Sequence, residues 1–189
     1  SPKSMASMAL KWRWSLGILK AGRYDFGNFR GMRNGDKMTS FGQWVAESFD
    51  PSFTWDDVAW LRDLWDGKLI IKGVLNAADA RRAVAAGADA IVVSNHGGRQ
   101  LDGAPSTISA LPEIRDAVAT EIILDSGISS GQDVLKALAL GARFCLIGKA
   151  HLFGLAAGGR EGVAKVIDIL RRELDVSMAL TGVPDVREV

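Results

Sequence analysis

The 189-residue sequence predicts an α/β fold built around a parallel sheet, and three observations indicate it. Short apolar runs recur after residue 68, and a helical run follows each of them. Two segments resemble each other, Ala83–Ala88 and Ala137–Ala142, and each places a glycine ahead of the next apolar run. The run Ala90–Val93 is apolar throughout, which is typical of a strand buried on both faces. Strands and helices that alternate in this order form a parallel sheet.

The predicted elements follow one another at regular spacing. A first helix is expected over about Trp55–Trp65, because Thr54 can cap it, Asp57 lies three residues further on as in a capping box, and an apolar stripe follows. Strands are expected to begin near Leu69, Ala90, Glu121 and Arg143, with helices near 77–86, 107–119, 131–140 and 152–176. Such repetition favours a (β/α)₈ TIM barrel, of which this chain supplies four βα units, since a complete barrel has eight strands in about 250 residues.

Residues 1–54 differ in character from residues 55–189. Residues 1–38 contain eight Lys or Arg and two acidic residues, a net charge of +6, which leaves −5 for the remainder of the chain. All six tryptophans precede residue 66. We interpret 1–54 as an irregular, basic, aromatic excursion. Within it, Met8–Lys20 could form a short helix that either lies on a membrane surface or packs its tryptophans in a barrel.

Composition excludes several classes of protein. A formal charge of +1 does not favour a nucleic-acid binder. The single cysteine, Cys145, cannot form an intrachain disulfide, which indicates a reducing, cytoplasmic compartment. No apolar run reaches the roughly 18 residues of a spanning helix, so membrane contact, if any, is expected to be peripheral, at the inner face. The two histidines and one cysteine have no metal-ligand spacing, so no metal site is expected.

The segment after the second predicted strand, Ser94–Gly103, holds the residues best suited to chemistry. Catalytic side chains of such barrels lie at the carboxyl ends of the strands. His96 by itself could merely bond a backbone carbonyl, but the glycines that follow it permit close approach of a flat ligand. Arg99 adds a fork of donors that matches a carboxylate or a phosphate. These residues favour an active site over a structural loop.

This segment, together with Leu111–Ile114, closely resembles the active-site signature of the FMN-dependent 2-hydroxy-acid dehydrogenases and oxidases. The resemblance runs from about Met8 to Val189, and it identifies the chain as the C-terminal half of such a barrel. It implies that His96 accepts the substrate hydroxyl proton, that Arg99 pairs with the substrate carboxylate, and that hydride or its equivalent passes to the flavin N5. The substrate would be a 2-hydroxy acid of the lactate, glycolate or mandelate type, and the product a 2-oxo acid.

The resemblance also implies a set of FMN-binding residues. The position of Lys72 corresponds to a lysine beside the flavin N1–C2 edge, although on its own it could be a strand-end lysine that reaches solvent. Asp125 could bind the ribityl hydroxyls or simply cap a helix. The family usually has arginines where Ser129 and Lys149 stand, so the phosphate loses bidentate donors at both positions. The full expected set is Lys72, Ser94, His96, Asp125, Gly127, Ser129, Gly148 and Lys149.

Two hypotheses stay open at this point. In the first, the chain acts as an enzyme once joined to an N-terminal half-barrel, as a separate chain or segment, and it assembles as a homo-oligomer. In the second, it is an inactive stand-alone half-barrel that binds a phosphate-bearing ligand or associates with itself, because unpaired edge strands favour association. The only tyrosine, Tyr24, matches none of the tyrosines that the family uses.

Overall fold

The computed structural model describes Met5, residues 8–21 and residues 50–189. The chain divides into two compact units, Ser1–Ser52 and Phe53–Val189. In the first unit, helix α1 spans Trp12–Ala21, within the region where a short helix over Met8–Lys20 was predicted. Residues 1–4, 6–7 and 22–49 of the predicted excursion, including Tyr24, lie outside the described part of the chain. The boundary proposed at residue 54 stays a prediction.

The second unit alternates helices and strands as predicted. Its elements are α2 (Trp55–Leu64), β1 (Ile70–Val74), α3 (Ala77–Ala85), β2 (Ala90–Val93), α4 (Thr107–Ala117), β3 (Glu121–Asp125), α5 (Gly131–Ala139), β4 (Phe144–Leu146) and α6 (Lys149–Thr181). The four strands form one sheet in the order β1-β2-β3-β4, and each neighbouring pair is parallel. This is the order of four consecutive strands in a (β/α)₈ barrel, whose C-terminal four units the chain supplies.

The core lies around the two central strands. All four residues of β2 are buried, and the fully buried Leu111 and Ile114 of α4 belong to the same core cluster as Ile91 and Val93. The outer strands are different, because Ile70 of β1 and Phe144 and Leu146 of β4 are 48%, 54% and 41% exposed. Burying an aliphatic or aromatic side chain stabilises a fold by about 1.5–3 kcal/mol. The central strands therefore carry the stability of this sheet, and the outer ones present apolar side chains to solvent.

The two similar segments have the same local structure. Gly87 follows α3 and Gly141 follows α5, both with left-handed backbone (φ 90° and 103°) that a residue with a Cβ rarely adopts. In each, the next N–H bonds back over the turn, from Ala88 to Ala83 and from Ala142 to Ala137, both at 3.0 Å. These are glycine-terminated helix ends of the kind predicted, and each turns the chain into the following strand.

The last helix is longer than predicted and is broken. It runs over Lys149–Thr181, but Gly158 and Gly159 have non-helical backbone angles in its interior. The parts of α6 before and after this break pack closely against each other. A Cβ at Gly162 would lie 2.0 Å from the Gly154 carbonyl oxygen, so only glycine fits there. Further along α6, Glu173 accepts a hydrogen bond from the Gly131 N–H at 2.9 Å. Helix α6 thereby fixes the start of α5, immediately after the loop that leaves β3.

Candidate active site

The carboxyl ends of β1, β2 and β3 bring three of the predicted site residues into contact. The Lys72 ammonium lies 2.5 Å from Asp125 Oδ2 and donates to Ser94 Oγ at 2.8 Å. Ser94 in turn donates to the same Asp125 oxygen at 2.6 Å. Gly73 makes this possible, because the register between β1 and β2 shifts by one residue between Lys72 and Val74. Such a bulge redirects the side chain beside it at the end of a strand.

The charge state of Asp125 follows from these contacts. Burial by itself raises its pKa, but the hydrogen bonds from Lys72 and Ser94, the Lys72 charge and the Ser126 N–H lower it further than burial raises it. The net result is a pKa below the ordinary value, so the carboxylate is ionised near neutral pH. The cluster is thus an ion pair with a serine hydroxyl between its two members.

His96 lies in an unusual turn directly after β2. The residues His96, Gly97 and Gly98 have φ angles of 55°, 67° and 71°, so three consecutive residues adopt left-handed backbone. Each such residue with a Cβ costs roughly 1–2 kcal/mol, which explains why glycine follows histidine twice. Strain of this kind persists only where surrounding contacts fix it, and it is concentrated at functional sites. The imidazole itself is exposed, as is Arg99 at the end of the turn.

Hydrogen bonds from three loops hold this turn. The His96 N–H donates to Ser94 Oγ at 3.1 Å. The Gly97 N–H donates both to Asn95 Oδ1 at 2.9 Å and to Ser126 Oγ at 3.0 Å. The Gly97 carbonyl accepts from the Lys149 ammonium at 3.0 Å. The loops after β2, β3 and β4 therefore converge on the backbone of Gly97, next to the predicted base.

The loops after β3 and β4 hold the residues predicted to bind the FMN phosphate. Only some of these residues contact the His96 turn. Gly127 and Gly148 face open space, since nothing lies within 4 Å of a Cβ built on either. Lys149 reaches back to the His96 turn, as described above. Ser129 instead points toward α5, where its N–H and hydroxyl both donate to Asp133 Oδ2, at 3.0 and 3.1 Å. The structure thus brings Lys72, Ser94, Asp125 and Lys149 to the His96 loop, but not the Ser129 side chain.

Sequence reasoning missed two residues of this cluster. Asn95 had a signal, because an Asn two residues before a glycine often bonds the backbone two positions on. Ser126 had none, because its partner Gly97 is 29 residues away in the sequence. Two further side chains near this end of the sheet have contacts or surroundings of their own. His151 Nδ1 contacts the Ile147 carbonyl at 3.0 Å, and burial raises the pKa of the Cys145 thiol to about 11.

Comparisons with known proteins identify the family. A family model described as FMN-dependent dehydrogenase matches residues 1–189. The chain is 47% identical over 181 residues to an L-lactate dehydrogenase of Vibrio cholerae serotype O1 (strain M66-2), which covers 94% of this chain and 48% of that protein. It is 46% identical over 182 residues to an L-lactate dehydrogenase of Ectopseudomonas mendocina (strain ymp), covering 95% and 48%.

The chain is also similar to solved structures of mandelate dehydrogenases. A crystal structure of the monotopic membrane protein (S)-mandelate dehydrogenase superposes with a TM-score of 0.92 at 40% identity, over 99% of this chain and 50% of the other. A soluble mutant of the membrane-associated (S)-mandelate dehydrogenase from Pseudomonas putida gives 0.74 at 41% identity, over 88% and 46%. The chain spans about half the length of the curated relatives it matches. Among the described residues, no helix is long and apolar enough to cross a membrane.

Proposed function

This chain belongs to the FMN-dependent dehydrogenase family, and from that premise we propose that, within a complete barrel, it oxidises an L-2-hydroxy acid to the 2-oxo acid with FMN as cofactor. The observation that carries the proposal is the strained His96 turn, which lies at the same edge of the sheet as the Lys72–Asp125 pair. The matched relatives are named for lactate and mandelate, both of which are 2-hydroxy acids. That chemistry defines the proposed substrate class.

The carboxyl edge fits FMN in its donors and in its open space. The Lys72 side chain is 45% exposed although it pairs with Asp125, so its ammonium can also reach a bound ring. The backbone at Gly127 and Gly148 is open to close approach of a phosphate. We propose that Lys72, Ser94, His96, Asp125, Gly127, Ser129, Gly148 and Lys149 hold the cofactor. Of these, Ser129 contributes its loop backbone more than its hydroxyl, which already bonds Asp133.

The chain's own residues divide the remaining work. A bound FMN would supply the acceptor for the hydride equivalent that leaves the substrate α-carbon. The His96 imidazole accepts the proton of the substrate hydroxyl, a role that a ring nitrogen within hydrogen-bond reach of that hydroxyl can perform. Arg99, exposed at the end of the turn, pairs its guanidinium with the substrate carboxylate and so orients the α-carbon.

Turnover requires the other half of the barrel. The exposed apolar residues of β1 and β4 lie on the two outer strands of the sheet, where a closed barrel would pair them with further strands. We propose that an N-terminal half-barrel, as a chain or a segment, covers both edges. Assembly into a homo-oligomer stays a prediction.

A sample that contains both halves tests the proposal. We expect it to be yellow, to release FMN on denaturation, and to oxidise lactate or mandelate in the presence of an artificial electron acceptor. Intact mass identifies whether a second polypeptide of about 150–200 residues accompanies this one. A folded, complete barrel that neither binds FMN nor oxidises any 2-hydroxy acid would overturn the proposal, and would favour a half-barrel that associates without turnover.

We further propose that α1 contacts the surface of a membrane at its inner face. Its Trp12 and Trp14 side chains are 61% and 53% exposed, and Leu19 is exposed beside them. Lys11, at its start, and Lys20, in its last turn, are also exposed. A helix with exposed aromatic and basic side chains is suited to lie in the interface between lipid headgroups and acyl chains.

Liposome co-sedimentation tests this contact. Each Lys or Arg near an anionic surface contributes about 1 kcal/mol, and salt weakens the attraction. We expect binding to vesicles that contain anionic lipid at low salt, weaker binding at high salt, and weaker binding of a Lys11→Gln, Lys20→Gln double variant. Absence of binding at low salt would dismiss the membrane contact without affecting the proposed chemistry.

A further inference from the structure

Ser126 adopts a left-handed backbone conformation that is unfavourable for a residue with a side chain. Its φ is 79°, and it shares left-handed backbone with His96 as the two non-glycine residues of that kind in the described part of the chain. A Cβ makes this region unfavourable, and glycine would occupy it without strain. The Thr107 hydroxyl donates to the Ser126 carbonyl at 2.9 Å and helps to hold the residue there. The Ser126 hydroxyl makes contacts that a glycine at this position would lack.

The Ser126 hydroxyl makes the same two kinds of contact as Ser94. Ser94 Oγ accepts the His96 N–H and donates to Asp125 Oδ2. Ser126 Oγ accepts the next N–H along the turn, that of Gly97, and donates to the same Asp125 oxygen at 3.4 Å. Two hydroxyls thus connect one carboxylate to two consecutive backbone N–H groups. We propose that Ser126 is a positioning residue that, together with Ser94, fixes the His96 turn relative to Asp125.

The position of Ser126 in the chain makes its link different from that of Asn95. Asn95 bonds the Gly97 N–H from within the same loop, so it can move together with the turn. Ser126 reaches the turn from the end of β3, and Asp125 beside it also pairs with Lys72. Asp125 consequently links Lys72 to the turn that carries His96, and so sets the distance between them. Lys72 is proposed to lie against the flavin, and His96 is the proposed base. This inference rests on the proposed function in assigning those roles to His96 and Lys72.

The test is Ser126→Gly in the complete barrel, with two readouts. Glycine accepts a φ of 79°, so we expect the variant to fold and to melt no lower than the parent. Deuterium uptake of the peptide that spans residues 94–99 should become about three- to tenfold faster, the factor that corresponds to one net hydrogen bond. If the barrel turns over, kcat should fall by about tenfold while KM for the 2-hydroxy acid stays within about twofold, because the Arg99 contact is retained.

Ser126→Ala and Ser109→Ala complete the design. The alanine variant at position 126 keeps the strain and lacks the hydroxyl, so it should match the glycine variant in uptake and in kcat, though it should melt lower. Ser109 is an exposed residue of α4, and its alanine variant should match the parent in every readout. Parental uptake at residues 94–99 in both position-126 variants, or a parental kcat in an active barrel, would overturn the role of Ser126. An inactive parent would instead overturn the proposed function, and the uptake measurement would still decide the role of Ser126.

Discussion

Two charged clusters lie at opposite ends of the same sheet and are built in different ways. At the amino end, Asp89 accepts hydrogen bonds from Lys68 at 2.8 Å, from the Leu69 N–H at 2.9 Å and from Arg62 at 3.1 Å. At the carboxyl end, Asp125 pairs with Lys72 and bonds two serines, one of them in strained backbone. Both carboxylates have lowered pKa values, but only the second lies beside left-handed residues that carry a side chain, His96 and Ser126, and beside open glycine backbone at Gly127.

We interpret the amino-end cluster as stabilising and the carboxyl-end cluster as part of the proposed site. The amino-end cluster joins α2, the start of β1 and the start of β2 without backbone strain in the residues that form it. The carboxyl-end cluster carries strain that other contacts have to hold, and such strain is retained where a site needs a fixed geometry. This agrees with the general division of barrels into a catalytic carboxyl face and a stabilising amino face. Substitutions at the two ends should therefore fail in different ways.

The largest effect is expected for His96→Gln in the complete barrel. Glutamine cannot act as a base, and the loss of a general base typically lowers turnover by about 10²–10⁴-fold. Binding of a non-reacting carboxylate should change little, because Arg99 remains. Steady-state kinetics and calorimetry check the two expectations. His151→Gln is the matched control and should retain turnover within about threefold, since His151 contacts the Ile147 carbonyl. Normal turnover of every 2-hydroxy acid by His96→Gln would rule out this loop as the catalytic centre.

Arg99→Met should weaken the binding of a non-reacting 2-hydroxy-acid analogue as well as turnover. The loss leaves the ligand carboxylate without its bidentate partner, which costs about 2–5 kcal/mol in a closed site. Titration calorimetry of the complete barrel measures it. Arg99→Lys keeps the charge but not the bidentate geometry. Its affinity for the analogue should therefore lie between those of the parent and of Arg99→Met. Unchanged affinity in the methionine variant would show that the substrate carboxylate is bound elsewhere.

The sequence predicts the helices and strands around the sheet better than it predicts the strained turns at the carboxyl end. Strand β2 is observed over Ala90–Val93 as expected, because a buried strand depends on a local apolar run. The Thr54 cap is also local, and Asp57 accepts from the Thr54 N–H at 2.6 Å. The interruption of α6 at Gly158 and Gly159 was not predicted, and neither was the role of Ser126. The glycine pair at 158 and 159 is a local signal for a break that was not used. The role of Ser126 depends on its contact with Gly97, 29 residues away, which periodicity and capping signals do not contain.

A third substitution, Lys72→Met, tests whether the carboxyl-end ion pair serves the cofactor. Removing the ammonium takes a charge-assisted donor from the proposed flavin edge, and such a bond contributes about 1.5–3 kcal/mol. We expect FMN to dissociate about 10- to 100-fold more readily from the complete barrel, measured by flavin fluorescence on dilution. Lys68→Met, at the amino end, is the matched control and should retain FMN. Equal retention in both variants would contradict the assignment of Lys72.

The smallest effect is expected at the amino end, for Asp89→Asn, and it should appear in stability rather than in turnover. Hydrogen bonds from Lys68 and the Leu69 N–H lower the Asp89 pKa to about 2, from an ordinary value of 3.8. A carboxylate with a lowered pKa stabilises the fold above its unfolded pKa, and that contribution is lost as the pH falls through the folded value. The parent should therefore melt higher than the variant near neutral pH, and the gap should close between about pH 4 and pH 2. Thermal melts across this range measure the gap, and turnover at neutral pH should be the same in both. A gap in melting temperature that does not change with pH would show that Asp89 acts through shape alone. A loss of turnover in Asp89→Asn would show that the two ends of the sheet are coupled and that the amino-end cluster does not serve stability alone.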